Sequence, residues 1–189
     1  MASSNTELVN LALIGLGKAR ISSLATDQGE SAKICRDKWP EVRDAVLRGN
    51  DWRCLIKRTS LAREAAVPAF GYLYQYALPT DYFRMLNLSV ETAVWEIEGR
   101  VLLTDEETAS IRYIGYDRAA DPVGLFDSLL TSALVARMAA EIAPSLDAAD
   151  REAEMWALHD RKISEAVRTG AIEKSRTVAS CTAFTTDVR

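Results

Sequence analysis

Histidine is nearly absent from this chain: His159 stands alone among 189 residues. No site that needs two imidazoles can be built on it. His159 falls on the apolar stripe of the last expected helix, where a core or interface role fits better than catalysis. A Ser-His-Asp relay would have to use it, and no Gly-x-Ser-x-Gly elbow is present. Cysteine is also scarce. Cys35, Cys54 and Cys181 are odd in number and lack a Cys-x-x-Cys spacing, which argues against a disulfide framework or zinc knuckle. Reduced thiols in a cytosolic setting are the expectation. No run of about 18 apolar residues occurs, so no membrane-spanning helix is expected. The opening residues 1–7 carry a Glu and no basic residue, so no secretion signal is expected.

Other familiar chemistry fails on spacing. Gly15-Leu-Gly17-Lys18-Ala19 has the look of a phosphate loop, but the required first glycine and terminal hydroxyl are Ala12 and Ala19. Asp105-Glu106-Glu107 and the acids Asp147, Asp150, Glu152 and Glu154 lack the ligand spacing of a calcium loop. A solvated hairpin end and a helix N-terminus account for them. Neither metal nor cofactor is expected.

What is present is an uneven charge and a change of periodicity. The net charge is −4, yet residues 18–63 hold 11 Lys/Arg against 6 Asp/Glu, a net of +5, leaving −9 elsewhere. Such a segment could meet nucleic acid or an acidic protein, but charges interleaved at helical spacing most simply solvate an outer face. The length suits one domain with a sizeable core.

Ser4-x-x-Glu7 has the form of a capping box, and the helix after it, about 5–16, is apolar nearly all round. Such a helix is buried within its own domain or against a neighbouring subunit. Gly15 and Gly17 end it. A second helix is expected over about 28–48, with Ala32, Cys35, Trp39, Val42 and Val46 on one face and Pro40 kinking or splitting it. Residues 52–62 fit helix and strand almost equally, extended chain slightly better. A β-rich insertion is expected over about 70–117. Tyr72, Tyr74 and Tyr76 alternate like a half-buried strand, Pro79 forces a turn, and Gly99 joins two strands in a tight hairpin. The tyrosine stripe lacks interleaved Lys or Arg, so a core or subunit-contact face suits it better than base stacking. The helical period returns over about 125–143 and 147–169, the last with Asp147 as cap and Gly170 as end. Residues 171–189 carry no stripe and read as an extended tail. The expected fold is therefore α+β, mainly α: a helical bundle over 1–170 with a small antiparallel β part, and a C-terminal tail.

The order of segments carries a resemblance. Ile14-Gly15 and Ile21-x-x-Leu24 precede a helix holding Cys35 and Trp39-Pro40, then Arg43-Asp44-x-Val46-Leu47 and Trp52. Tyr76-x-Leu78-Pro79-x-Asp81-x-x-Arg84 follows, then Trp95-Glu96-Ile97-Glu98-Gly99, Leu102-Leu103-Thr104-Asp105, and a late Phe126-Asp127. As an ordered set over roughly residues 5–165, these resemble the head-to-tail adaptor, or tail tubular protein A, of short-tailed bacteriophages.

The resemblance implies a structural virion protein without turnover. It would form a homo-oligomeric ring, expected as a dodecamer, between the portal protein and the tail nozzle protein. Genomic DNA would pass through the bore without specific binding, so mainly acidic or neutral residues are expected there. The implied location is the virion neck, with assembly in the host cytoplasm. By position, the tail would meet the portal through Ile172, Arg176, Val178, Phe184 and Arg189, and the hairpin Glu98, Gly99 and Arg100 would face the nozzle or a neighbour. Two other classes stay open at this point. A tail-neck protein that hydrolyses cell wall would have only Glu91, Glu96 and Glu98 as acids; a small nucleic-acid-binding module would use basic residues 18–63.

Overall fold

Ser4 opens the first helix. Its hydroxyl accepts the backbone N–H of Glu7 at 3.2 Å, and α1 runs Asn5–Gly15. Gly17, at φ +71°, closes it: its N–H reaches the Ile14 carbonyl and that of Lys18 the Leu13 carbonyl, both at 2.9 Å. This is a Schellman closure, which uses a residue in the left-handed region. The computed structural model describes residues 4–173 and contains three longer helices: α2 (Glu30–Gly49), α3 (Ser128–Ile142) and α4 (Glu152–Glu173).

Six strands lie between α2 and α3: β1 (Ile56–Ser60), β2 (Tyr74–Ala77), β3 (Tyr82–Leu88), β4 (Trp95–Glu98), β5 (Val101–Thr104) and β6 (Ser110–Gly115). They form two antiparallel three-stranded sheets, ordered β1-β6-β3 and β2-β5-β4. The fold is α+β, mainly α, as the sequence predicts.

Alternation along β6, and the register shifts within β3, make the first sheet a middle layer. Phe83 and Ile114, with half-buried Ile56, turn toward the helices and join their core. Met85, Leu88, Ile111 and Tyr113 turn the other way and pack with Tyr76 and Leu102 of the second sheet. Within the bundle α3 is central. Leu130, Ala133, Leu134, Met138 and Ile142 are fully buried, and α3 touches α1, α2 and α4. Its alanines permit the close approach, and truncating a leucine there would cost about 2–5 kcal/mol.

Several boundaries differ from expectation, each for a local reason. The β region begins at Ile56 rather than near 70, because the Arg53–Leu55 3₁₀ turn breaks the alternation of residues 52–62. The helix expected from 125 starts at Ser128; residues 123–125 are a 3₁₀ turn, and Asp127 Oδ1 caps α3 by accepting the Leu130 N–H at 2.8 Å. Asp147 does not cap the last helix. It adopts φ +52° after the Pro144–Leu146 turn, a second 3₁₀ turn spans Ala149–Arg151, and α4 begins only at Glu152. That helix also runs through Gly170, so Ala171–Glu173 are helical, not extended. Arg53 Nε donates to the Gly170 carbonyl at 3.0 Å and ties this end to the first sheet's approach. Pro40 does not divide α2, whose assignment is continuous through it; the missing N–H merely leaves the Arg36 carbonyl without its helical donor.

Candidate interaction surfaces

Among the described residues, no group of three or more His, Cys, Asp or Glu side chains is arranged to hold a metal ion. His159 is buried, with Nδ1 3.1 Å from the Ala133 carbonyl and its ring edge-on to Trp156. It serves as a packed core group joining α3 and α4. Burial pushes the Cys35 and Cys54 thiols up to about 11, far from thiolate reactivity at neutral pH. Glu91, Glu96 and Glu98 are exposed on the hairpin region and line neither the groove at Arg53 and Gly170 nor the recess at Arg58 and Arg112.

One convergence of polar groups is structural. Asp121, at φ +44°, receives Trp39 Nε1 at 3.1 Å and lies 3.2 Å from the Arg43 guanidinium. Asn5 Nδ2 and the Tyr116 hydroxyl donate to the same carboxylate. One side chain thereby ties α1, α2 and the end of β6 together. Burial first, then the Asp121 carboxylate, drives the Tyr116 hydroxyl far above its ordinary range. Arg43 sits over the Tyr116 ring and also pairs with Asp44 at 2.9 Å.

A second carboxylate organises the sheets. Asp81 takes Lys57 Nζ at 2.6 Å and the Tyr113 hydroxyl at 3.1 Å. Burial would raise this carboxyl, but the two hydrogen bonds outweigh it and hold Asp81 below the usual range. Gly115 leaves room for the pair: a Cβ there would lie 2.6 Å from Lys57 Cδ and 2.9 Å from Asp81 Oδ2.

The unsatisfied surface is apolar and lies at the far end of the second sheet. The chain pairs Arg63 with Tyr76 across an isolated bridge, and Glu64 N–H reaches the Gln75 carbonyl at 2.9 Å. Residues 65–73 thus form the tip of a long hairpin. At that tip Phe70 is 89% exposed, with Val67 and Leu73 also open to solvent. The Leu73 N–H anchors on Asp105 Oδ1 at 2.9 Å. Partial burial, then the carboxylates of Glu96, Asp105 and Glu98, raise the Tyr72 hydroxyl, which places this tip beside β4. There Val94 and Trp95 add further exposed apolar area along an edge strand that pairs only with β5. Exposed apolar area gathered in this way is the kind of surface that contact sites present. Sequence periodicity missed it, because Val67-Pro-Ala-Phe70-Gly-Tyr72 has no period; its signal was apolar residues in a turn-rich stretch.

The expected contact residues fall in different situations. Gly99, at φ +56°, opens the two-residue turn between β4 and β5, and Glu98 is exposed beside it. Arg100 is engaged within the chain: its guanidinium donates to the Pro79 carbonyl, and its own carbonyl accepts the Leu78 N–H at 3.0 Å. Ile172 stands 79% exposed in the last turn of α4, near exposed Val167. Arg176, Val178, Phe184 and Arg189 lie outside the described residues. On the opposite part of the molecule, Leu11 and Ile14 leave an apolar strip on α1 while Leu8, Val9, Ala12 and Leu13 are buried. No described helix is long and apolar enough to cross a membrane. Comparison with protein-family models and with curated proteins returned no match.

Proposed function

We propose that this chain is a head-to-tail adaptor subunit of a short-tailed bacteriophage, a structural protein without turnover. Copies of it assemble as a ring, a dodecamer in this reading, between portal and nozzle in the virion neck after synthesis in the host cytoplasm. Genomic DNA passes through the ring. The observation that carries the reading is the apolar hairpin tip, where Phe70 stands in solvent beside Val67 and Leu73.

A ring is built from heterologous contacts, so one subunit needs two different adhesive patches. The tip with Trp95 is one; the α1 strip of Leu11 and Ile14 is a second of different shape. The residues behind the resemblance support the scaffold rather than chemistry. Trp39 bonds Asp121, Trp52 Nε1 donates to the Val46 carbonyl at 2.8 Å, and Arg84 bonds the Asn50 carbonyl at 2.9 Å and the Asp51 carboxylate. In this reading the hairpin at Glu98 and Gly99 faces the nozzle or a neighbour. The α4 end at Ile172 leads toward the portal, with the residues beyond 173 continuing that contact.

Electron microscopy of particles assembled with and without the protein tests the reading. DNA-filled heads without tails, repaired by adding the purified chain, are the expected outcome. Tailed particles in its absence, or density for this chain away from the neck, would overturn it.

A further inference from the structure

The first sheet overhangs the helical bundle. Ile56, Arg58 and Ser60 share one face of β1, opposite Ile114, Arg112 and Ser110 of β6 in register. The isoleucine half of that face packs on the helices. The arginine half projects past them and is open, forming a recess of about 470 Å³ bounded by Arg58, Arg112, Ser60, Ser110, Asn87 and Ser89.

Two features of this recess need a cause. Arg58 and Arg112 are directly opposite on neighbouring strands, an arrangement that costs stability because the like charges repel. Among the described residues neither guanidinium makes an ion pair or hydrogen bond, whereas Arg43, Arg84, Arg100, Arg118 and Arg137 all do. The rest of the lining is mostly hydroxyl and amide and contains no carboxylate: the Ser60 and Ser110 hydroxyls sit 2.9 Å apart, and Asn87 pairs across the ladder with Arg112.

We propose that this recess is a phosphate-binding site, filled by a phosphate of a nucleic-acid backbone or by free phosphate. Two guanidinium forks and adjacent hydroxyls match the planar and tetrahedral demands of a phosphate oxyanion. No aromatic side chain lines the recess, so no base stacks there and contact with nucleic acid is sequence-neutral. The adjoining groove of about 390 Å³ shares Arg112 but carries Asp51 and Asp127, so the positive stretch ends at the arginine pair. The grip is correspondingly light, which leaves a strand free to slide. The site does not depend on the adaptor reading.

The test titrates the full chain with a fluorescent duplex of random sequence, over a range of salt, and separately with inorganic phosphate. With two phosphate contacts the duplex affinity falls with a log–log salt slope of about −1.8. The double variant Arg58→Ala/Arg112→Ala is expected to lose at least tenfold in affinity for whichever probe binds. It keeps its melting temperature, since it removes a repulsion. The control Lys18→Ala/Arg20→Ala subtracts the same charge elsewhere and is expected to change affinity less than twofold. Duplex binding competed by millimolar phosphate identifies the backbone as the source, and phosphate binding alone identifies the free anion; either supports the site. No binding of either probe, equal losses in the two double variants, or an effect of Arg58→Ala/Arg112→Ala on self-association only overturns it.

Discussion

Asp121 shows how much one residue can hold when its neighbours are brought from far along the chain. Its donors Asn5 and Trp39 lie 116 and 82 positions away. The left-handed φ of +44° aims the carboxylate back at them at a backbone cost of order 1–2 kcal/mol, which Asp tolerates better than most residues. Removing the carboxylate leaves the 6%-exposed Arg43 with Asp44 alone and strands the Tyr116 hydroxyl. Asp121→Ala is therefore expected to destabilise the fold by about 3 kcal/mol, the lower end for breaking a buried charge pair. Asp121→Asn keeps an acceptor and the φ preference, and is expected to cost roughly half as much. Urea unfolding followed by tryptophan fluorescence measures both; equal midpoints for wild type and Asp121→Ala would deny the knot its role. In the sequence this residue is visible only as the Asp-Pro step before a helix. Its partners have no spacing that a linear reading can recognise.

Among the elements, the hairpins separate stability from contact. The turn between β4 and β5 needs φ +56° at Gly99, where a Cβ would meet open space but the backbone would be strained. Gly99→Val is expected to cost about 1–2 kcal/mol, read as a lowered melting temperature. Phe70→Ser at the 65–73 tip, beyond the opposite end of the same sheet, is the complementary case. With 89% of Phe70 in solvent, the change is expected to stay within about 0.5 kcal/mol of wild-type stability. Under the proposed adaptor function, assembly onto portal-bearing heads, counted by microscopy, is expected to collapse all the same. A Phe70→Ser chain that assembles normally would remove the tip from the interface. These elements also mark what was readable. The two strands about the Gly99 turn follow from turn chemistry, α1 from its cap and α3 from the returning helical period. The tip at 65–73 and the arginine pair of β1 and β6 were not readable, since the first lacks periodicity and the second depends on strand register between Arg58 and Arg112, 54 positions apart. The 3₁₀ turns that moved the starts of β1, α3 and α4 were not readable either, since three-residue turns leave no pattern long enough to see.

For the molecule as a whole, buried neutral acids set the upper pH limit. Burial pushes Cys35 and Cys54 to about 11; burial and Asp81 push Tyr113 to about 12, and Tyr76, Tyr82 and Tyr116 are raised as well. In the unfolded chain these groups ionise near 8.5 for thiols and 10 for phenols. Below those values both states are neutral and the fold keeps its full stability. As pH climbs, the unfolded chain sheds protons first, and stability falls at least until Cys35, Cys54 and Tyr113 ionise in the folded state at about 11–12. Asp81 acts at the opposite end, contributing above pH 4 and losing that contribution as the solution acidifies through its lowered folded value. The expected result is a cooperative loss of circular dichroism between about pH 10 and 12, coincident with a steep rise of tyrosinate absorbance. Growing negative charge would also destabilise the chain there, given a sequence pI near 5.2. Salt separates the two causes: half-molar sodium chloride screens surface repulsion over a few ångströms but leaves the cost of ionising a buried phenol in place. An alkaline midpoint that stays within a few tenths of a pH unit on adding salt assigns the loss to the buried groups. One that moves by a full unit assigns it to surface charge. Tyr116→Phe, which deletes the most strongly raised phenol, is expected to flatten the alkaline slope even though it lowers stability at neutral pH by the loss of one hydrogen bond, about 1 kcal/mol.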